Sequence, residues 1–230
     1  MKFFVKALEP EFSDSREVAA MRDIRRASLD YLARLEDTRL VDLVFKSSDW
    51  KSTILVAETD SLEELDRLIK RDPLFPYVRY NVKPVTFTRE MVDELEDYLG
   101  ETVLTEAEKA ALTPRPLRIK PDGQMYYLVE KDLHPFSPLM SEEEIRDVYR
   151  ATLVSQRLHA STKEVVDYNP VGIPHGYLIM EAGSESEVFE HLSSVPIFKY
   201  TTVTVTRLLT MNQAYRTLSD EPPATIRAVV

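Results

Sequence analysis

The sequence predicts an α+β protein built from two copies of one β-α-β-β-α-β unit. Three observations predict it: a long internal repeat, helix caps that recur at matching positions, and strands that are apolar on both faces. Residues 53–77 and 176–200 align without a gap at an offset of 123. Apolar residues fall on apolar ones, Glu58 falls on Glu181, and the capping box Ser61-x-x-Glu64 falls on Ser184-x-x-Glu187. The two stretches close on Pro73-Leu-Phe-Pro-Tyr77 and Pro196-Ile-Phe-Lys-Tyr200. Met1-Lys-Phe-Phe-Val-Lys also matches Met125-Tyr-Tyr-Leu-Val-Glu, at an offset of 124. A repeat of this length marks a duplicated compact domain, because solenoid units are shorter and more numerous.

In the first copy, residues 2–8 read as a strand rich in Phe and Val. A helix follows from about Arg16 to Glu36, its apolar stripe formed by Met21, Ile24, Leu29, Leu32 and Leu35. Arg39–Lys46 and Ser52–Glu58 are strands around the turn Ser47-Ser-Asp-Trp50. Ser61 caps a second helix whose buried stripe is Leu62, Leu65, Leu68 and Ile69; Pro73 ends it, and Tyr77–Val85 is the fourth strand. The second copy repeats the order. Gln124–Lys131 is a strand, Ser141-x-x-Glu144 opens a helix to about His159, and Glu164–Tyr168 pairs with Tyr177–Glu181. Ser184 caps the last helix, and Thr201–Leu208 is the final strand. Between the copies Thr88–Leu99 and the boxed Thr105-x-x-Glu108 segment read as connector helices, with Pro114, Pro116 and Pro121 stiffening the exit.

This order is the ferredoxin-like split βαβ unit. The expected boundaries are 1–87 for copy one, 88–123 for an acidic helical connector, 124–210 for copy two and 211–230 for a C-terminal arm. Both helices of such a unit cover one sheet face. Phe3 and Val5 alternate with Phe4, and Ile54 and Val56 with Leu55, so the second face is apolar too and needs a cover. The expectation is that the two sheets pack face to face as an intrachain α/β barrel. The apolar stretch Ala224–Val230, after Pro222-Pro223, is expected to dock as an extended strand on its own chain or a partner.

Composition narrows the function. A formal charge of −10 opposes phosphate-backbone binding, so no nucleic-acid partner is expected. No apolar run reaches a membrane span of roughly 20 residues, and a charge returns within the first six residues, which leaves no signal-peptide core. The expectation is a cytoplasmic protein off the membrane, a monomer or homodimer. The chain has no Cys and its 5 glycines are scattered, so it lacks a disulfide frame, a thiolate metal site, a P-loop and a dinucleotide fingerprint. No His/Asp/Glu spacing suggests a metal.

The run Asp60-Ser-Leu-Glu-Glu-Leu with Pro73-Leu-Phe-Pro-Tyr-Val-Arg-Tyr-Asn-Val, and the opening Met-x-Phe-x-Val-Lys, resemble muconolactone delta-isomerase over most of residues 1–85. Copy two keeps three of the five residues of the Pro-Leu-Phe-Pro-Tyr motif. The resemblance implies two fused subunits of a dimeric α/β barrel that moves a proton in an unsaturated lactone without metal or cofactor. The family's His-Tyr-Ala-Asn-Tyr stretch is replaced by Trp50-Lys-Ser-Thr-Ile in copy one and Ile173-Pro-His-Gly-Tyr in copy two. Its substrate therefore does not carry over.

A proton shift needs a base of mid-range pKa and a group that returns or polarises the proton. His175 at a strand start, Tyr177 two residues on, Tyr168 on the paired strand and His159 on the helical stripe are the candidate catalytic residues. Exposure, helix capping and strand packing are their ordinary alternatives. Trp50, Asp49 and Lys51 in the copy-one hairpin, with Arg25 and Arg26 nearby, are candidates for binding a flat or carboxylate-bearing small-molecule substrate; packing and solvated ion pairs are the alternatives. His134 and His191 read as solvent residues. Three functions stay open: a cofactor-independent isomerase or cyclase acting on a lactone-like or polyketide-like substrate, a cofactor-independent oxygenase of the same fold, and a non-catalytic ligand-binding or assembly module. The expected active pocket is in copy two, with no cofactor.

Overall fold

The structure, a computed structural model, describes residues 1–10, 15–38, 40–112, 125–160, 165–170 and 175–220. The chain forms two compact units, Met1–Pro84 with the chain from Leu208 on, and Val85–Arg207.

The first unit holds β1 (Lys2–Leu8), α1 (Ser15–Asp37), β2 (Leu43–Ser47), β3 (Ser52–Glu58), α2 (Leu62–Lys70) and the start of β4 (Arg79–Phe87). Its antiparallel strand order is β4-β1-β3-β2, with Phe4 opposite Val56 and Val44 opposite Leu55. Alternation sends Phe3, Val5, Val44, Leu55 and Ala57 toward Leu29, Leu32, Leu35, Leu65 and Ile69 of the two helices. Ser61 caps α2 as the box predicts: its hydroxyl accepts from Glu64 N at 3.2 Å, and Glu64 reaches back to Asp60 N at 3.0 Å. The Pro-Leu-Phe-Pro-Tyr motif forms a 3₁₀ turn at Phe75–Tyr77 that redirects the chain into β4. β2 begins at Leu43, four residues later than expected, since Leu40 is exposed and has no place in the sheet.

The second unit holds α3 (Thr88–Leu99), α4 (Glu106–Leu112), β5 (Tyr126–Leu133), α5 (Glu142–Ala160), β6 (Val165–Pro170), β7 (His175–Glu181), α6 (Glu185–Ser193) and most of β8 (Thr201–Leu209). Its strand order is β8-β5-β7-β6, the same as in the first unit. Leu178, Met180, Tyr127 and Val129 pack on Val188 and Leu192 of α6. Ser184 repeats the cap of Ser61, and Pro196–Tyr200 repeats the 3₁₀ turn. Val92, Leu99, Leu104 and Leu153 form a separate core between α3, α4 and α5. Lys109, 6% exposed, ties α4 to Asp93 and Glu96 of α3 at 2.7 and 2.6 Å. The α+β class and the doubled ferredoxin-like order are thus as the sequence predicts.

The end of the chain differs. Residues 211–220, expected in an arm, form α7 (Met211–Asp220). A reciprocal box starts it: Gln213 N donates to Thr210 Oγ1 at 3.3 Å and Thr210 N donates to Gln213 Oε1 at 3.0 Å. Met211, Ala214 and Leu218 join the first unit's core, and Arg22 donates to Leu218 O at 2.9 Å. Leu208 and Leu209 of β8 pair with Ser47 and Lys46 of β2, so this end of the chain belongs to the first unit. Ala224–Val230 lies outside the described residues.

Candidate functional site

Charged side chains gather on the helix-covered face of the first unit's sheet. In β2 the pleat sends Leu43 and Phe45 to one face and Val44 and Lys46 to the other, which places an ammonium among the core residues under α1. Glu9 follows directly on β1 and is held at the sheet by its N–H, which donates to Lys51 O at 2.9 Å. Its carboxylate pairs with Lys46 and accepts from Arg25 Nε of α1 at 2.9 Å. The Lys46 and Glu9 side chains are 2% and 1% exposed. Lys46 also donates to Thr53 Oγ1 of β3 at 3.1 Å. Burial pulls the Lys46 ammonium below its usual range, the Glu9 carboxylate opposing the fall.

Trp50 covers the two cations. Its ring centroid lies 5.5 Å from Lys46 Nζ and 5.7 Å from Arg25 Cζ, within cation–π range. The ring reaches them because the β2–β3 hairpin is tight: Trp50 N donates to Ser47 O at 3.0 Å, and Ser52 N to Ser47 Oγ at 2.8 Å. Trp50 sits at φ +62°, a left-handed conformation costly for a bulky side chain.

Beyond Thr53 lies a cavity of about 20 Å³, walled by Val5, Leu32, Leu55 and Ile69, with Asp72 and Tyr80 at its margin. Asp72 accepts from Leu74 N at 2.9 Å and from Tyr80 OH at 3.4 Å. Burial pushes the Asp72 carboxyl up, its hydrogen bonds and Lys46 opposing. Burial and the Asp72 charge push the Tyr80 hydroxyl far up. The arrangement pairs a cation suited to a developing oxyanion with a carboxyl of raised basicity.

The structure divides the residues predicted from sequence. Arg25 and Trp50 come together in this cluster. Arg26 is exposed on α1. Asp49 and Lys51 form the exposed hairpin tip, where Asp49 Oδ1 accepts from Lys51 N at 3.0 Å. His175, Tyr177 and Tyr168 gather in the second unit, on the sheet face away from α6. Tyr168 is opposite Tyr177 in register, His175 Nδ1 is bonded to Asp132, and the His175 and Tyr177 rings meet edge-on at 4.6 Å. Burial pushes the Tyr177 hydroxyl up to about 12. The side chain of His159 lies outside the described residues. His191 is a correction: it is 8% exposed, since it follows Val188 by three residues and shares the inner face of α6 with Leu192. His134 is exposed and bonded to Thr202 Oγ1 at 2.6 Å. Among the described residues no group of three His, Cys, Asp or Glu could hold a metal ion.

Glu9, Lys46, Asp72 and Tyr80 escape the sequence reading. Lys46 alone carries a signal, a charge in phase with Val44 on a strand face otherwise apolar. Glu9 and Asp72 sit in polar stretches at element ends and acquire partners only through the fold.

No family model and no curated protein matches the chain. Solved structures do. Chlorite dismutase from Candidatus Nitrospira defluvii in complex with imidazole is similar at a TM-score of 0.56 and 10% identity, over 95% of both chains. A mutant of that chlorite dismutase in complex with cyanide gives 0.57 and 9% over the same shares. A heme-binding protein from Thermus thermophilus gives 0.56 and 10%, again over 95% of both chains. At these identities the likeness is one of fold. It corrects the resemblance to muconolactone delta-isomerase, and with it the isomerase and cyclase reading: the fold neighbours are chlorite dismutases and a heme-binding protein. The physical reason is that the Pro-Leu-Phe-Pro-Tyr motif is the 3₁₀ turn between a capped helix and the last strand. It reports the unit's chain path and nothing of its chemistry.

Proposed function

We propose that this chain is an oxygenase-type enzyme acting on a small carbon acid at the helix-side cluster of its first unit. One observation carries the reading: Lys46, Arg25 and Glu9 form a nearly dry charged cluster beneath Trp50, beside a carboxyl whose pKa burial has raised. Trp50 stacks a flat substrate. Asp72 takes a proton from an activated methylene, and Lys46 holds the resulting enolate oxygen. The carbanion adds dioxygen to give a peroxide. Loss of the second methylene proton then leaves a ketone, with one oxygen atom retained and the other released as water. The substrate carbon gives up four electrons and dioxygen accepts four, so no external reductant enters.

The fold neighbours raise the question of heme. The first unit does not fit it. No His, Cys or Met lines its cavity, and the two tyrosines there already donate to Leu68 O and Asp72 Oδ2. Of the described histidines His134 is exposed, His175 holds Asp132, and His191 is packed in α6.

The test is dioxygen uptake across a panel of aryl-flanked methylene ketones. Lys46→Met is expected to lower turnover by about 10²-fold or more, as loss of an oxyanion partner does. His175→Ala, at the second-unit cluster favoured by the sequence, is expected to cost at least about tenfold less than that. The reverse order of losses would move the site to the second unit. Tight binding of added hemin, seen as a shifted Soret band, would replace this reading with a heme one.

A further inference from the structure

We infer that the cavity beside Asp72 and Tyr80 is a dioxygen site, a step that rests on the oxygenase reading above. Its size is about 20 Å³, somewhat more than the roughly 10–15 Å³ that a water requires, so size alone admits a guest slightly larger than water and the wall must decide which. Its wall is almost wholly carbon, supplied by β1, α1, β3 and α2 through residues such as Val5, Leu32, Leu55 and Ile69. With so little polar wall a water finds few of the two to four polar partners it needs, which favours an apolar guest.

The polar groups at the margin are already engaged. Tyr31 OH donates to Leu68 O at 2.8 Å, Tyr80 OH to Asp72 Oδ2 at 3.4 Å, and Thr53 Oγ1 accepts from Lys46 at 3.1 Å. A water here would give up bulk hydrogen bonds for few replacements, whereas dioxygen gives up none. The surroundings also suit what dioxygen becomes. One electron from a bound carbanion makes superoxide and a substrate radical, which combine into the peroxide. The Lys46 ammonium, one side chain away across Thr53, stabilises the anionic partner of that pair.

The test uses methyl NMR of the full chain under dioxygen pressure, since paramagnetic dioxygen speeds the relaxation of nearby methyls and needs no substrate. The methyls of Leu32, Leu55 and Ile69 are expected to relax several-fold faster than the comparably buried ones of Leu99, Leu178 and Leu192 in the second unit. Ala7→Val places two methyl groups in the cavity from β1 and is expected to abolish that difference; Val5→Ile serves the same purpose should Ala7→Val fold poorly. Uniform relaxation across both cores, or an ordered water found in the cavity by crystallography, overturns the site. The outcome is independent of turnover. A selective effect without any oxidised product therefore keeps the dioxygen site and removes the proposed reaction, and product formation without a selective effect does the reverse.

Discussion

Lys46 and Glu9 form an ion pair with 2% and 1% of their side chains exposed, at adjoining strand ends of the first unit. Such a pair is costly to break from one side, because the remaining charge stays buried with fewer partners: without Lys46, Glu9 keeps only the less buried Arg25. Lys46→Met is expected to destabilise the protein by about 3 kcal/mol or more, and Glu9→Gln with Lys46→Met by clearly less, in urea denaturation. Additive losses in the double variant would show that the two residues are not coupled.

Trp50 offers a backbone test. At φ +62° a glycine carries no side-chain penalty, so Trp50→Gly is expected to be more stable than Trp50→Ala by about 1 kcal/mol, although both lose the same ring. Equal stability of the two would argue that the left-handed conformation is relaxed once the ring is gone.

Glu36 sets a pH dependence. Burial, with Asp37 adding, raises its carboxyl from 4.5 to about 7, while a hydrogen bond from the Val44 backbone opposes the shift. The folded state therefore holds this proton more tightly than the unfolded chain. Its stabilising contribution is complete below about pH 4.5 and is lost as pH rises through about 7. Glu36→Gln should flatten that part of the profile and raise stability at pH 8 by about 1 kcal/mol, a figure reduced for the side chain's partial exposure. An unchanged slope between pH 4.5 and 7 in the variant would assign the dependence elsewhere.

In the second unit Glu96 Oε1 accepts from Val103 N and Leu104 N, each at 2.8 Å, while its other oxygen holds Lys109. Glu96→Ala is expected to speed hydrogen exchange at Val103 and Leu104 by about tenfold or more while leaving β5 and β7 protected, since local opening draws on local bonds. Equal acceleration in β5 would mean that the connector and the sheet open together.

The repeat, the caps at Ser61 and Ser184 and the strand order were legible in the sequence because they rest on short-range rules: period-two and helical patterning, and boxes closed within three residues. The box Thr210-x-x-Gln213 obeyed the same rules and marked α7, in a stretch expected to be an arm. The His175 cluster was legible for a similar reason, as residues two apart share a strand face. The Glu9, Lys46, Arg25 and Asp72 cluster was decided by tertiary structure. Its members come from β1, β2, α1 and the end of α2, up to 63 residues apart in sequence, and an exposed carboxylate reads the same as a buried one until the fold removes its water. Local pattern could say which elements form and which face each turns inward. Only packing could say which charges are shut in together, because a side chain's loss of water depends on what the whole fold lays over it.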